Sequence, residues 1–160
     1  MKLFRPHHRL ETVTQLTTER LEGWGLRSLL LDVDSTLKYY GATELAPDVA
    51  EWLETMKSSG IGLCIVSNGA ARRIGPFAES LGVPFVAPAL KPFPYGCRKA
   101  MRQMDFNPQA TAMVGDQLFA DIAAARLAGI TAILIEPISP ELEPLWTRIK
   151  RPFEKMINEK

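Results

Sequence analysis

The stretch Ser28–Leu37, SLLLDVDSTL, joins an unbroken apolar run, Leu29-Leu30-Leu31, to two aspartates at i and i+2, Asp32 and Asp34. Gly25 precedes the run and Ser35-Thr36 follows the acids. A short apolar run with such borders reads as a buried strand of a parallel sheet. In open α/β sheets ligands bind beyond the carboxyl ends of the strands. Alternate side chains of an extended strand share a face, so the two carboxylates are expected to converge. Their mutual repulsion then calls for a cation or a proton between them.

The flanking sequence repeats the pattern. Downstream of the acids, Pro47 suits the first turn of a helix, and Val49, Trp52, Leu53 and Met56 follow at helical spacing. Gly60 ends it, and Ile61–Val66 reads as a second strand that stops at Ser67-Asn68-Gly69. Ala70–Leu81 is expected to be helical with an interruption near Gly75-Pro76. Val83–Ala87 is a third strand, leading into Leu90-Lys91-Pro92. A helix over 94–104 precedes a fourth strand, Thr111–Val114, ending at Gly115-Asp116. An Ala-rich helix over 119–128 and a fifth strand, Ile130–Ile135, complete the series. Upstream, Thr17 to Gly23 supplies a cap and a short helix, within an N-terminal helical segment placed at 10–24. Residues 1–9, with Lys2, Arg5, His7, His8 and Arg9, read as a basic tail, solvated or in surface contact, without a metal pattern.

Strands alternating with helices mean right-handed βαβ units. The expectation is an α/β fold with a doubly wound, parallel, five-stranded sheet. One domain is expected over 1–160, with its core at 28–135. A length of 160 residues, 46% hydrophobic and 23% charged, is ordinary for such a domain. A net charge of +1 argues against bulk attraction to nucleic acid. No run reaches the roughly 18 apolar residues of a spanning helix, and the opening residues lack the apolar centre of a secretory signal. Cys64 and Cys97 lack metal-site spacing. Cys64, inside an apolar run, reads as a reduced core thiol, which suits a cytoplasmic or organelle interior.

Strand ends thus present Asp32 and Asp34, Ser67 and Asn68, and Asp116, with Lys91 in the loop after the third strand. If the first of these strands is central, its neighbours create a topological switch point and all these groups meet there. Carboxylates suit Mg²⁺, while a lysine and a hydroxyl suit a phosphate.

Asp32-Val-Asp-Ser-Thr-Leu37, Ser67-Asn68, Lys91-Pro92 and Gly115-Asp116 with Asp121 resemble the four ordered motifs of the haloacid dehalogenase superfamily of phosphatases. The resemblance spans 28–135 and implies a Rossmann-like core. Residue by residue, it implies Asp32 as the nucleophile that forms an aspartyl-phosphate. Asp34 would be the general acid and base, its backbone carbonyl also reaching the metal. Ser67 and Asn68 would bind phosphate, and Lys91 would neutralise the nucleophile and the transferring group. Asp32, Asp34 and Asp116 would hold Mg²⁺, with Asp121 supporting the loop. The spacings between motifs leave no room for an inserted cap domain, and the resemblance to capless members implies an open cleft and a bulky or macromolecular substrate unless oligomerisation covers the site.

The chain also resembles the bacterial (YqeG-like), mitochondrial and plastid phosphatidylglycerophosphate phosphatase family over nearly its whole length. The residues concerned are the segment leading into Gly25, the run Val114–Asp121, and Thr147, Arg148, Arg151 and Glu154. Ser35 stands where that family commonly has Asn, and Gly69 where a second Asn is usual. That resemblance implies a phosphate-ester substrate that is an anionic phospholipid. Within 139–160, Leu142, Leu145, Trp146, Ile149, Phe153, Met156 and Ile157 form an apolar stripe beside Arg148, Lys150, Arg151 and Lys155. Such a pattern suits either peripheral contact with an anionic membrane or docking on the core. The other readings are a phosphatase of a sugar phosphate or a nucleic-acid 3′-phosphate, and a silent domain that binds phosphorylated partners. Oligomeric state is not legible.

Overall fold

A computed structural model of the chain describes residues 2–138. The apolar runs form parallel strands: β1 (His8–Leu10), β2 (Ser28–Leu31), β3 (Gly62–Val66), β4 (Phe85–Val86), β5 (Thr111–Gly115) and β6 (Thr131–Ile135). They lie side by side in the order β1-β6-β5-β2-β3-β4. β2 is therefore central, with Leu31 opposite Ile65 on one side and Val114 on the other. The order reverses at β2, so its carboxyl end is the switch point.

The connections are α1 (Thr18–Gly23), α2 (Pro47–Ser58), α3 (Ala71–Leu81), α4 (Tyr95–Met104) and α5 (Ala123–Ala128). Alternation along the strands divides the core into two layers. Leu29 and Leu31 pack with Leu63, Ile65, Val114 and the inner faces of α2 and α3, including Trp52, Leu53, Met56 and Ile74. Leu30 points the other way, with Cys64, Val66 and Met113, onto Cys97, Ala100 and Met101 of α4 and Ala124 and Ala125 of α5. Both cysteines are free and buried, and burial pushes each thiol up to about 12. Trp52 donates its indole N–H to Leu16 O at 2.8 Å, tying the N-terminal segment to α2.

Four expectations are corrected. The sheet has six strands, not five, because His8–Leu10 pairs with Ile133–Ile135. His7 Nδ1 accepts from Ala132 N at 2.9 Å and His8 stacks on Trp24 at 3.7 Å, so the basic tail is in part an edge strand. Three residues, His8, Arg9 and Leu10, are too few to carry a periodicity; the edge of β6 recruits them. The N-terminal segment 10–24 is not one helix but a 3₁₀ turn at Val13–Gln15 followed by α1, capped by Thr17. Helix α3 runs through Gly75-Pro76 without a break. Ile74 and Ala78 anchor it on the sheet. A Cβ on Gly75 would stand 3.1 Å from the Phe85 ring, so the glycine sets that close approach. The Ala-rich helix is divided: Leu118–Ile122 is a π-helical turn, and α5 starts only at Ala123. The apolar and basic segment 139–160 lies outside the described residues.

Because Leu30 is fully buried on the central strand against α4 and α5, Leu30→Ala should cost about 2–5 kcal/mol. Urea unfolding checks it, with a lowered midpoint at unchanged slope as the expected result.

Candidate active site

Each polar group at the carboxyl edge is delivered by a different strand. β2 ends immediately before Asp32, which is 7% exposed. Past β3 comes Ser67, past β4 the loop with Lys91, and past β5 come Asp116 and the π turn bearing Asp121. Lys91 is buried and donates through Nζ to Asp32 Oδ1 at 2.8 Å and to Asp121 Oδ1 at 2.6 Å. Its backbone is fixed by Asn68, whose amide N donates to Lys91 O and whose carbonyl accepts from Lys91 N, both at 2.8 Å. Leu90 takes φ +58 and is exposed, while the next side chain turns inward.

The other oxygen of Asp121 accepts from Gln117 N at 3.0 Å. In the π turn, Gln117 O accepts from both Asp121 N and Ile122 N, at 2.8 and 3.2 Å. π turns frequently mark functional sites, and this one seats the Asp121 carboxylate against Gly115. A Cβ at Gly115 would overlap that carboxylate, so the glycine before Asp116 is sterically required. Thr36, 1% exposed, places its hydroxyl 3.4 Å from Asp32 Oδ2 and 3.3 Å from Asp116 Oδ1, able to donate to either. Ser67 is buried, and its Oγ accepts from Gly69 N at 3.1 Å.

Asp34 takes a separate set of partners. Lys38 donates to its Oδ1 at 3.0 Å, and Arg73 donates to Oδ2 at 2.9 Å and to Oδ1 at 3.3 Å. The turn that follows the two acids contains Ser35 at φ +63, whose N–H donates to Lys38 O at 2.8 Å. The left-handed conformation is one that Asn tolerates better than most residues. Thr36, Lys38 and Arg73 were not among the residues singled out from sequence. Thr36 and Lys38 lie within four residues of the paired acids, a proximity that could have drawn attention to them. For Arg73 the sequence carries no such signal, because only the βα crossover brings α3 over β2.

The electrostatics follow the partners. Burial and then the charge of Asp121 push the Asp32 carboxyl up to about 6, against the pull of Lys91, which is shared between two acids. For Lys91 itself burial disfavours the ammonium, yet Asp121 and Asp32 outweigh it and hold the group above its ordinary value. Burial opposes ionisation of Asp34, but hydrogen bonds from Arg73 and Lys38 hold its carboxyl below the usual range.

Asp32, Asp116 and Asp121 bring ligand oxygens within 4.8 Å of one another. Three carboxylates against the single ammonium of Lys91 leave two formal negative charges. That hard, oxygen-only donor set fits a divalent cation. A cavity of about 650 Å³ lined by Lys2, His7 and Arg126 among others lies by the segments that enter β5 and β6, at the opposite edge of the sheet.

Residues 4–129 match the protein family described as haloacid dehalogenase-like hydrolase. The "Probable phosphatase YqeG" of Bacillus subtilis (strain 168) is 32% identical over 156 residues, 98% of this chain and 90% of that protein. A "Phosphoglycolate phosphatase" of Haemophilus influenzae (strain 86-028NP) is 31% identical over 109 residues, 59% of this chain and 48% of that protein. The chloroplastic "Phosphatidylglycerophosphate phosphatase 1" of Chlamydomonas reinhardtii is 23% identical over 159 residues, 94% of this chain and 59% of that protein. Among solved structures, "NagD from E.coli K-12 strain" superposes with a TM-score of 0.55 at 15% identity, over 68% of this chain and 87% of that one, which speaks to the fold.

Removing the Lys91 ammonium should leave Asp32 and Asp121 buried face to face. Lys91→Met in chelator should therefore lose about 3–5 kcal/mol at pH 7.5. The loss should be smaller at pH 5. Without Lys91 the folded-state carboxyl of Asp32 sits still further above its unfolded value, so its contribution survives at low pH and disappears as pH rises. Urea titrations of both proteins at the two pH values check the sign.

Proposed function

The chain belongs to the haloacid dehalogenase-like hydrolases, and from that membership we propose a Mg²⁺-dependent phosphomonoester hydrolase that works through an aspartyl-phosphate and acts on phosphatidylglycerophosphate. It is a phosphatase; metal, intermediate and substrate are the proposed refinements. The observation that carries the reaction is Asp32, buried at the end of β2 with one oxygen held by Lys91 at 2.8 Å. An anchored carboxylate with its charge partly offset can approach an anionic phosphate, which a free one cannot.

The carboxylate of Asp32 attacks phosphorus in line, and the bond from phosphorus to the ester oxygen breaks. Asp34, ionised in the free protein, takes up a proton as the anionic substrate binds beside it, gives that proton to the departing alkoxide, then takes one from the water that attacks the aspartyl-phosphate, releasing inorganic phosphate and restoring Asp32. Lys91 offsets charge on nucleophile and phosphoryl group, and Ser67 and Asn68 border the phosphoryl site, Asn68 by holding the Lys91 backbone. Asp32, Asp116 and the backbone carbonyl of Asp34 would hold Mg²⁺, with Asp121 steadying Lys91. When bound, the ion supplies Lewis-acid neutralisation of the phosphoryl oxygens.

Two features favour a lipid. The likeness to the chloroplastic phosphatidylglycerophosphate phosphatase runs over 94% of the chain. Tyr39, Tyr40, Leu90 and Phe93 are exposed on the loops that carry Asp34 and Lys91, and Tyr95 at the start of α4. Among the described residues, only Leu127 is a large exposed hydrophobic elsewhere. Aromatic side chains around a site mouth suit a headgroup presented at a membrane interface. No helix among the described residues is long and apolar enough to cross a membrane, so the proposed contact is peripheral, from a cytoplasmic or organelle-interior side. The apolar and basic pattern of 139–160 is a second candidate for it. A soluble phosphate ester is the second reading, favoured by the likeness to the phosphoglycolate phosphatase over 59% of the chain.

Phosphate release with and without Mg²⁺ from phosphatidylglycerophosphate vesicles, 2-phosphoglycolate, a sugar phosphate and a 3′-phosphorylated oligonucleotide tests the assignment. The vesicles should be the preferred substrate, and chelator should abolish turnover; a preference for a soluble ester would install the second reading.

Asp32→Asn should keep the fold and lose all but a few per cent of turnover, because an amide is no nucleophile. Asp34→Asn should slow an alkyl ester roughly 10²–10⁴-fold. A nitrophenyl ester needs no proton on its leaving group, so its phosphorylation step should suffer less. Pre-steady-state measurements on both esters separate the two steps.

A further inference from the structure

Asp34 is held by two cations where one would balance its charge. Lys38 is the inner one, 3.0 Å from Oδ1 with its side chain 4% exposed. Arg73 is the outer one, gripping both carboxylate oxygens while its side chain remains 49% exposed. Its other N–H donors have no partner among the described residues. An ion pair this exposed contributes little to stability, so packing does not account for the second cation.

The backbone beneath Arg73 is shaped for it. A Cβ on Gly69 would overlap Arg73 Nη2 and stand 2.9 Å from Ile74 Cγ1. The guanidinium therefore crosses a bare glycine to reach Asp34, at the position where a second Asn is usual in the family that the sequence resembles. Arg73 also lies within electrostatic reach of Asp32. Arginine is the side chain best suited to a bidentate grip on an oxyanion.

We propose that Arg73, backed by Lys38, is a subsite for a second anionic group on the leaving-group side of the substrate, a carboxylate or a phosphodiester a few bonds beyond the ester oxygen. In the free protein Asp34 occupies the guanidinium; in the complex the substrate's oxyanion replaces it, and Asp34 keeps Lys38. Selectivity for doubly anionic substrates over simple phosphate monoesters then resides in Arg73. The leaving-group side follows from the role proposed above for Asp34.

The test compares the full chain with Arg73→Gln and Arg73→Lys on three soluble esters, so that membrane partition plays no part. Glycerol 3-phosphate has no second anion, 2-phosphoglycolate carries a carboxylate, and glycerophosphoglycerophosphate carries a phosphodiester. The wild type should favour one or both anion-bearing esters in kcat/KM. Arg73→Gln should shrink that preference roughly 10–100-fold, mainly through KM, with partial recovery in Arg73→Lys. The ester that responds more identifies the anion. Equal fractional loss on all three esters, or no preference in the wild type, overturns the subsite. Equilibrium binding of the same esters to Asp32→Asn, with and without Arg73→Gln, reads affinity without turnover. Failure of the phosphatase mechanism would leave that binding ratio intact, whereas failure of the subsite would bring it to unity.

Discussion

The ammonium of Lys91, buried between Asp32 and Asp121 at 2.8 and 2.6 Å, is the contact on which the site depends. A charge taken out of water is tolerable only with close partners, and these partners come from distant parts of the chain. Asp32 follows β2, Lys91 follows β4, and Asp121 rides on the π turn after β5. All three crossovers must close to within hydrogen-bond distance together. Asn68 extends the constraint to the end of β3 by clamping the Lys91 backbone on both its N–H and its carbonyl. The ion pair thus ties the switch point of the sheet into one rigid cluster, which is the preorganisation that an anionic nucleophile requires.

Much of this was legible in the chain because buried parallel strands leave a strong mark. Leu29–Leu31 and Cys64–Val66 are unbroken apolar runs, and the polar residues that end them had to share one edge. Helix α2 was equally plain from Val49, Trp52, Leu53 and Met56, all buried. What escaped notice lacked a local signature. β1 has three residues and pairs only because β6 offers an edge. The π turn differs from an α-helix by one residue per turn and has no composition of its own; its cause is tertiary, the seating of Asp121 beside Gly115. Pro76 suggested a break in α3, yet the anchoring of Ile74 and Ala78 overrode the proline, as tertiary packing overrides propensity elsewhere.

The expected convergence of Asp32 and Asp34 illustrates a subtler limit. Period-two alternation holds only while the strand lasts, and β2 ends at Leu31. Beyond it the two acids, still near enough for the charge of Asp34 to act on Asp32, take different partners. Asp32 enters an inner, acid-rich cluster that raises its pKa, and Asp34 an outer, cation-rich one that lowers it. In the free protein these senses are the reverse of what an ionised nucleophile and a protonated general acid need, so a cation arriving beside Asp32 and an anion arriving beside Asp34 have to invert them. Neither environment can be read from the dipeptide spacing.

The same division explains where the chain departs from the family that its sequence resembles. Ser35 and Gly69 both lie at the outer cluster. Ser35 shapes the turn that carries Lys38 to Asp34, and Gly69 clears the path of Arg73. The inner cluster admits little variation. Lys91, Asp32, Asp116 and Asp121 are all less than a tenth exposed, and removing Lys91 would leave three buried carboxylates without their cation. Half-exposed Arg73 can change its partner at small cost, because water can solvate what it releases. On the assignment proposed above, nucleophile and metal ligands belong to the buried layer, while Asp34 and any discrimination by Arg73 belong to the solvent-facing one, where a side chain can be exchanged at small cost to the fold.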